Sequence, residues 1–344
     1  MRKILLYLLI LPILSACGAG LKGEEDQASK QEQGVSEVKE KPNEPNQIEK
    51  NTSSKDINSF TRNDHEYNID VVAGATSGVY NGNAYTGQEK MEKMYWSGRP
   101  EIGTVIGEYY YDTFEFDGGY LATLDVVTQR DKLISVEFDE KAPDNYYSPE
   151  WVGQTKRLSG YANFQAENSR TDVTLVTLVN AMTFLEAQML EKNSLIGYFY
   201  SVKGASNSVR NGYIPLAEQL EKKLKNKSSE TYYALTKSLG RGLYGRLIVI
   251  KDKSKDQIVD VRYDEYFADS KNEIPEESLK EYFRQSKYYS RSYSTKSGQN
   301  FRELVDDLKT EVLSQQKLQV TIKDSSLQEN YSQFIQEMTK MLTQ

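Results

Sequence analysis

From Tyr120 onward the chain alternates. Ala122, Leu124 and Val126 fall on one side of an extended segment, and Thr123 and Asp125 on the other. After a polar turn at Gln129 to Lys132 the pattern resumes, with Ile134, Val136 and Phe138 alternating with Ser135 and Glu137. Two period-two runs around a polar turn predict an antiparallel hairpin with one wet face. The same unit returns about 120 residues later, near the size at which a domain builds its own core. Leu133-Ile-Ser-Val-Glu-Phe-Asp-Glu140 recurs as Ile258-Val-Asp-Val-Arg-Tyr-Asp-Glu265, preceded by a strand-like run, Tyr244 to Ile250, and a turn, Lys251 to Asp256. The period then changes to that of a helix. Leu178, Met182, Leu185 and Met189 share a helical face, as do Phe301, Leu304, Leu308 and Val312. Closing helices also correspond, Tyr213 to Leu224 and Tyr331 to Leu342. The pattern predicts an α+β protein made of two tandem copies, 105–226 and 230–344, joined near Asn226 to Glu230. Each copy is expected as an independent domain, an antiparallel sheet with helices.

The first residues follow different rules. Arg2 and Lys3 precede an apolar run, Ile4 to Leu14, that is too short to span a bilayer. The run ends in Leu14-Ser-Ala-Cys17-Gly18. This resembles the lipobox of bacterial lipoproteins, which implies a signal peptide over 1–16 and a lipid anchor on Cys17. The expected location is the extracytoplasmic face of the cell membrane. Residues 17–66 are rich in Glu, Lys, Gln, Asn and Ser, with Pro42 and Pro45. Such a composition buries too little apolar surface to offset ordering entropy, and it predicts a disordered tether with a reach of roughly 40 Å.

Composition narrows the chemistry. The chain has 344 residues, one Cys, one His, 25 Tyr and a net charge of −7. One thiol and one imidazole cannot build a Cys/His zinc site, an iron–sulfur cluster or a haem attachment. The acidic balance argues against nucleic acid as a partner. No metal site and no catalytic residue is expected, and the single His65 lies at the edge of the tether. The aromatics Tyr109 to Tyr111, Tyr146, Tyr147, Trp151, Tyr232, Tyr233, Tyr288 and Tyr289 suit either ring stacking or half-buried sheet positions. Tyr282 to Tyr293, with Arg284, Lys287 and Arg291, reads as a basic-aromatic patch or a solvated helix face.

Two small-residue turns are candidate phosphate sites, because such turns expose backbone N–H groups. One is Tyr200-Ser-Val-Lys-Gly-Ala-Ser206, before the closing helix of the first copy. The other is Asp70-Val-Val-Ala-Gly-Ala-Thr76, in the segment 67–104. With Gly107-Glu-Tyr-Tyr-Tyr-Asp-Thr-Phe-Glu-Phe-Asp-Gly-Gly-Tyr120 and the hairpin ending Phe138-Asp-Glu140, these strings resemble the FMN-binding domain family. That family includes flavin-linked lipoproteins of Gram-positive bacteria that pass electrons outside the membrane.

The resemblance covers about 107–224 well and about 240–342 more faintly. It implies two FMN-binding-like domains and, in many members, FMN joined as a phosphodiester to the Thr of an Asp-x-x-Ser/Thr-Gly-Ala-Thr motif by a flavin transferase. Carried over by position, the cofactor-binding residues are Asp70, Gly74, Ala75 and Thr76, and Gly204, Ala205 and Ser206. Ala73 departs from the motif in the first string, and Tyr200 and Lys203 in the second. The second copy reads Lys323-Asp-Ser-Ser326 at that place, without Gly or Ala.

The implied function is an electron carrier outside the membrane, rather than a catalyst with its own substrate. It would be supplied by a membrane electron donor. The alternative is a cofactor-free surface lipoprotein that binds a protein or small ligand through degenerate copies. A solute-binding lipoprotein is a third reading, against which two independent domains count.

Overall fold

The computed structural model describes residues 59–63, 65–68, 90, 94–168, 171, 176–202 and 207–343. A short hairpin comes first, β1 (Ser59–Arg62) and β2 (His65–Asn68). The first copy then supplies three strands, β3 (Gly103–Phe116), β4 (Tyr120–Gln129) and β5 (Lys132–Lys141). The second supplies β6 (Glu230–Gly240), β7 (Leu243–Asp252) and β8 (Gln257–Phe267). All six pair antiparallel in the order β5-β4-β3-β6-β7-β8. Thus the hairpins predicted from alternation are present, β4–β5 and β7–β8. Arg130 and Asp131 take the positive φ that a two-residue hairpin turn requires.

The two copies share this sheet. β3 pairs with β6 over six positions, from Gly103↔Thr236 to Glu108↔Thr231. Both belong to one compact unit, Ser54–Gln344. The expected independence of the copies is therefore replaced by a seam of backbone hydrogen bonds at the centre of one sheet. Read from either end, the strand order is the same with the copies exchanged, as a two-fold axis through the seam would give.

Helices cover one face. α1 (Tyr161–Glu167), α2 (Leu178–Lys192) and α3 (Ile214–Leu224) follow β5, while α4 (Phe301–Gln315) and α5 (Ser325–Leu342) follow β8. Leu124, Val126, Val136 and Phe138 pack with Met182, Leu185, Met189 and Leu220 in the first core. Leu247, Val249, Val261 and Tyr263 pack with Leu308, Val312, Phe334 and Met338 in the second. α2 and α4 end alike. Asn193 and Gln316, both at positive φ, turn back so that each side-chain carbonyl accepts the N–H of the facing strand, Leu133 at 2.7 Å and Ile258 at 2.8 Å. Lys323 to Ser326 is a helix start: the Asp324 carboxylate accepts the Leu327 N–H at 2.9 Å.

The opposite face is not left to water. Arg246 of β7 reaches Glu137 of β5 at 2.8 Å, and Arg262 of β8 reaches Asp125 of β4 at 2.8 Å. Each pair is four strands apart, about 19 Å in a flat sheet. The sheet therefore curls until its two halves touch. Inside the curl, Tyr109, Val127, Tyr232, Ala234, Ile248 and Ile250 form a third core. Gly107 permits the closeness, since a Cβ there would lie 2.2 Å from the Thr128 carbonyl oxygen. The polar stripe expected to be wet, Thr123, Asp125, Ser135 and Glu137, belongs to this inner face.

Candidate functional site

Curling brings the outer strands β5 and β8 toward one another without joining them. Two returning segments lie along their ends. Residues 154–156 run beside β5, with Lys156 N–H donating to the Glu140 carbonyl at 2.9 Å. Residues 285–287 run beside β8, with Lys287 N–H donating to the Glu265 carbonyl at 2.8 Å. They meet where Ser286 N–H donates to the Leu158 carbonyl at 2.8 Å. Around them lies a cleft of about 450 Å³, lined by both copies and by α4. That volume is within the range of roughly 300–1,000 Å³ for small-molecule sites.

The repeated Asp-Glu string is the hinge of this arrangement. Glu140 and Glu265 point to the helical side and are buried. Each takes a buried lysine, Lys156 at 2.5 Å and Lys287 at 2.5 Å. Rings surround each ammonium. Tyr120, Tyr161 and Tyr146 stand 4.5, 5.0 and 5.2 Å from Lys156 Nζ, while Tyr293, Phe267 and Phe301 stand 5.2, 5.7 and 5.7 Å from Lys287 Nζ. Tyr213 donates its hydroxyl to Glu140 at 3.0 Å, and Asn330 its amide to Glu265 at 2.9 Å. One device is thus built twice: an acid on the strand and a base on the returning segment, closed by aromatic rings.

Asp139 and Asp264 point the other way and line the cleft. One oxygen of Asp139 accepts three backbone N–H groups, from Glu140, Arg157 and Lys156 at 2.7, 2.9 and 3.2 Å. Its second oxygen has no partner among the described residues. Asp264 accepts from Glu265 and Tyr288 N–H, and its other oxygen takes the Ser286 hydroxyl at 2.5 Å. Burial raises both carboxyls, Asp139 to about 6 and Asp264 to about 7, against the opposing pull of these hydrogen bonds. Glu137 behaves oppositely. Burial pushes it up, but the charge and hydrogen bonds of Arg246, with Arg157 and Arg62 behind them, together bring it down to about 2.

Cations in the cleft differ in how they are satisfied. Arg246 holds Glu137 through two nitrogens, while its buried Nε has no partner. Arg157 is paired with the fully buried Glu186, which Arg62 also reaches at 3.3 Å. Arg302 donates Nε to the Tyr288 carbonyl at 3.0 Å, and no carboxylate lies within 4.0 Å of it among the described residues. The cleft thus presents an accessible guanidinium and an accessible carboxylate oxygen on walls from different copies.

The earlier candidates fall elsewhere. Cys17, Asp70, Gly74, Ala75, Thr76, Gly204, Ala205 and Ser206 lie outside the described residues. In the basic-aromatic stretch Tyr282 to Tyr293 only Lys287 of the three cations is buried, Arg284 is half-buried and Arg291 stays exposed. Lys287 is buried against Glu265, Arg284 lies 4.5 Å over the Trp96 ring, and Arg291 lies 4.9 Å over the Trp151 ring. Tyr109 and Tyr232 stack at 5.5 Å inside the curl, and Tyr146 and Trp151 are core residues. Tyr288 and Tyr289 do line the cleft. Sequence reasoning missed Asp139, Asp264 and Arg302 as site residues. The one signal for the two aspartates was the recurrence of Asp-Glu at the same place in both copies, and Arg302 had none.

Among the described residues no group of His, Cys, Asp and Glu could hold a metal ion, and no helix is long and apolar enough to cross a membrane. No family model, no curated protein and no solved structure matches the chain.

Proposed function

We propose that the chain is a lipid-anchored extracytoplasmic protein whose cleft binds a small polar ligand. One observation carries this reading. The edges of the two copies leave a cleft, in which the second oxygen of Asp139 and the guanidinium of Arg302 have no partner of opposite charge among the described residues. Groups left unmatched at a concave site are what a polar ligand can satisfy. The Leu14-Ser-Ala-Cys17 string supports the anchor. Independent domains had counted against solute binding, and the shared sheet removes that objection.

The test is a thermal-shift panel of amino acids, short peptides, sugars, nucleotides and FMN, run on the mature chain and on Thr123→Trp, which fills the cleft. A ligand at a hundredfold excess over its Kd adds about 2.7 kcal/mol, or about 5 °C in a body of this size. Such a rise, absent in Thr123→Trp, supports the reading. No rise for any compound, or equal rises in both proteins, contradicts it.

A second reading keeps FMN as a covalent cofactor at Thr76 or Ser206, with electron relay as the function. The observation that favours it is an exposed aromatic pair, Tyr198 and Tyr200, in T-shaped contact at 5.2 Å just before residues 203–206. Such rings offer a face to an isoalloxazine. Co-expression with a flavin transferase, followed by a denaturing gel, decides it: a fluorescent band lost in Ser206→Ala or Thr76→Ala supports attachment, and a dark band excludes it.

A further inference from the structure

The two outer strands, otherwise equivalent, differ at their centres. In β5 the outward backbone of Phe138 is sealed: its N–H donates to Glu186 at 2.8 Å, and its carbonyl accepts from Arg157 at 2.9 Å. The corresponding residue of β8 is Tyr263, since Leu124 faces Phe138 as Leu247 faces Tyr263. Outward positions of β8 are fixed by their neighbours. Glu265 accepts from Lys287, and Phe267 donates to Gln285 at 2.9 Å, so by the alternation of an antiparallel strand Tyr263 and Val261 also point outward. At the other end Gln316 seals Ile258 through both its N–H and its carbonyl, at 2.8 and 3.1 Å. Between these caps the N–H and C=O of Val261 and Tyr263 have no partner among the described residues. Val261 and Tyr263 line the cleft, although their side chains belong to the core on the helical face.

The cause lies in the side chains. By helix position Lys309 stands in α4 where Glu186 stands in α2, and by returning segment Tyr288 stands where Arg157 does. Lys309 turns to Asp260 at 2.5 Å and leaves the edge uncapped. An uncapped edge that faces a cleft is a template for one more strand. The open stretch is short, about three residues or roughly 10 Å between caps. Arg302 lines the same cleft with no carboxylate partner among the described residues.

We propose that this edge binds the end of an extended peptide, whose main chain pairs with Val261 and Tyr263 and whose terminal carboxylate meets Arg302. This deepens the ligand-binding reading and rests on it. Main-chain pairing supplies affinity with little dependence on sequence, and the guanidinium selects a free C-terminus.

The probe is an equimolar library of unblocked tetrapeptides, offered to the mature protein, with retained peptides identified by mass spectrometry. A retained subset is expected. Its best member should bind at least tenfold more weakly as the C-terminal amide, and at least tenfold more weakly to Arg302→Gln. Val261→Pro removes an N–H that the sheet ladder does not use, so it should abolish retention in a protein that still unfolds cooperatively. Independently of any variant, hydrogen exchange at the Tyr263 amide should slow at least tenfold when peptide is bound. Retention of no tetrapeptide overturns the proposal, as does binding that leaves Tyr263 exchange unchanged or ignores Arg302→Gln. A panel compound of another class that raises Tm in the wild type but not in Thr123→Trp, with no peptide retained, overturns the peptide assignment and leaves the cleft reading standing.

Discussion

Replacing Lys156 by Met removes a buried cation and keeps most of the volume. Lys156 is 4% exposed, and its partner Glu140 has no exposure at all. Breaking a buried pair by removing one member costs about 3–5 kcal/mol, because the remaining charge is uncompensated. The three rings around the ammonium add roughly 1 kcal/mol more. Against a total stability of about 5–15 kcal/mol, Lys156→Met should remove a third or more. The remedy is specific. In the double variant Lys156→Met, Glu140→Gln neither member of this pair is left buried and charged, so most of the loss should return, with a coupling of at least about 2 kcal/mol. Urea unfolding followed by tryptophan fluorescence and far-UV circular dichroism measures both quantities. Because β3 and β6 join the copies, the two signals should fall in one transition. Lys287→Met, in the other copy, should lower the same transition by a similar amount. A Lys156→Met protein within about 1 kcal/mol of wild type, or a double variant whose losses simply add, would refute the reasoning.

Other consequences follow from the same geometry. Asp264 holds its proton to about pH 7, whereas an unfolded Asp releases it near 4, so its contribution makes stability fall as pH rises from about 4 to about 7. Urea titrations should show that Asp264→Asn flattens this fall, and an unchanged slope counts against the burial argument. Gly245→Ala places a Cβ 2.7 Å from the Phe334 ring, in the second core. It should cost about 1–3 kcal/mol by denaturant unfolding, and a neutral result would show that α5 can yield. Exchanging the charges of the cross-sheet pair tests the curl: Arg246→Glu alone should destabilise, and adding Glu137→Arg should restore part of the loss in the same assay.

Local periodicity carried much of the fold. The hairpins β4–β5 and β7–β8 and the helices α2 and α4 were legible because alternation and helical spacing are written in neighbouring residues. The β3–β6 seam was not legible, since it depends on backbone pairing between segments more than a hundred residues apart. Alternation also shows that a face is polar without showing what lies opposite. Thr123, Asp125 and Glu137 read as a wet stripe, and curling turns them toward Arg246 and Arg262. The stretch holding Arg284, Lys287 and Arg291 misled for the opposite reason. Each cation there finds a ring or an acid far away in sequence, so a patch on paper becomes packing in space. The recurring Asp-Glu string was visible as a repeat. Its meaning required the lysines of the returning segments, which local pattern does not connect to it.

One measurement reaches the central claim most directly: native mass spectrometry of the protein isolated from the cells that express it, beside the Thr123→Trp form. The expected spectrum shows a lipid-bearing chain with one small non-covalent ligand, released on unfolding and absent from Thr123→Trp. A wild-type chain without ligand, or one carrying a single covalent FMN as its only addition besides lipid, would contradict it.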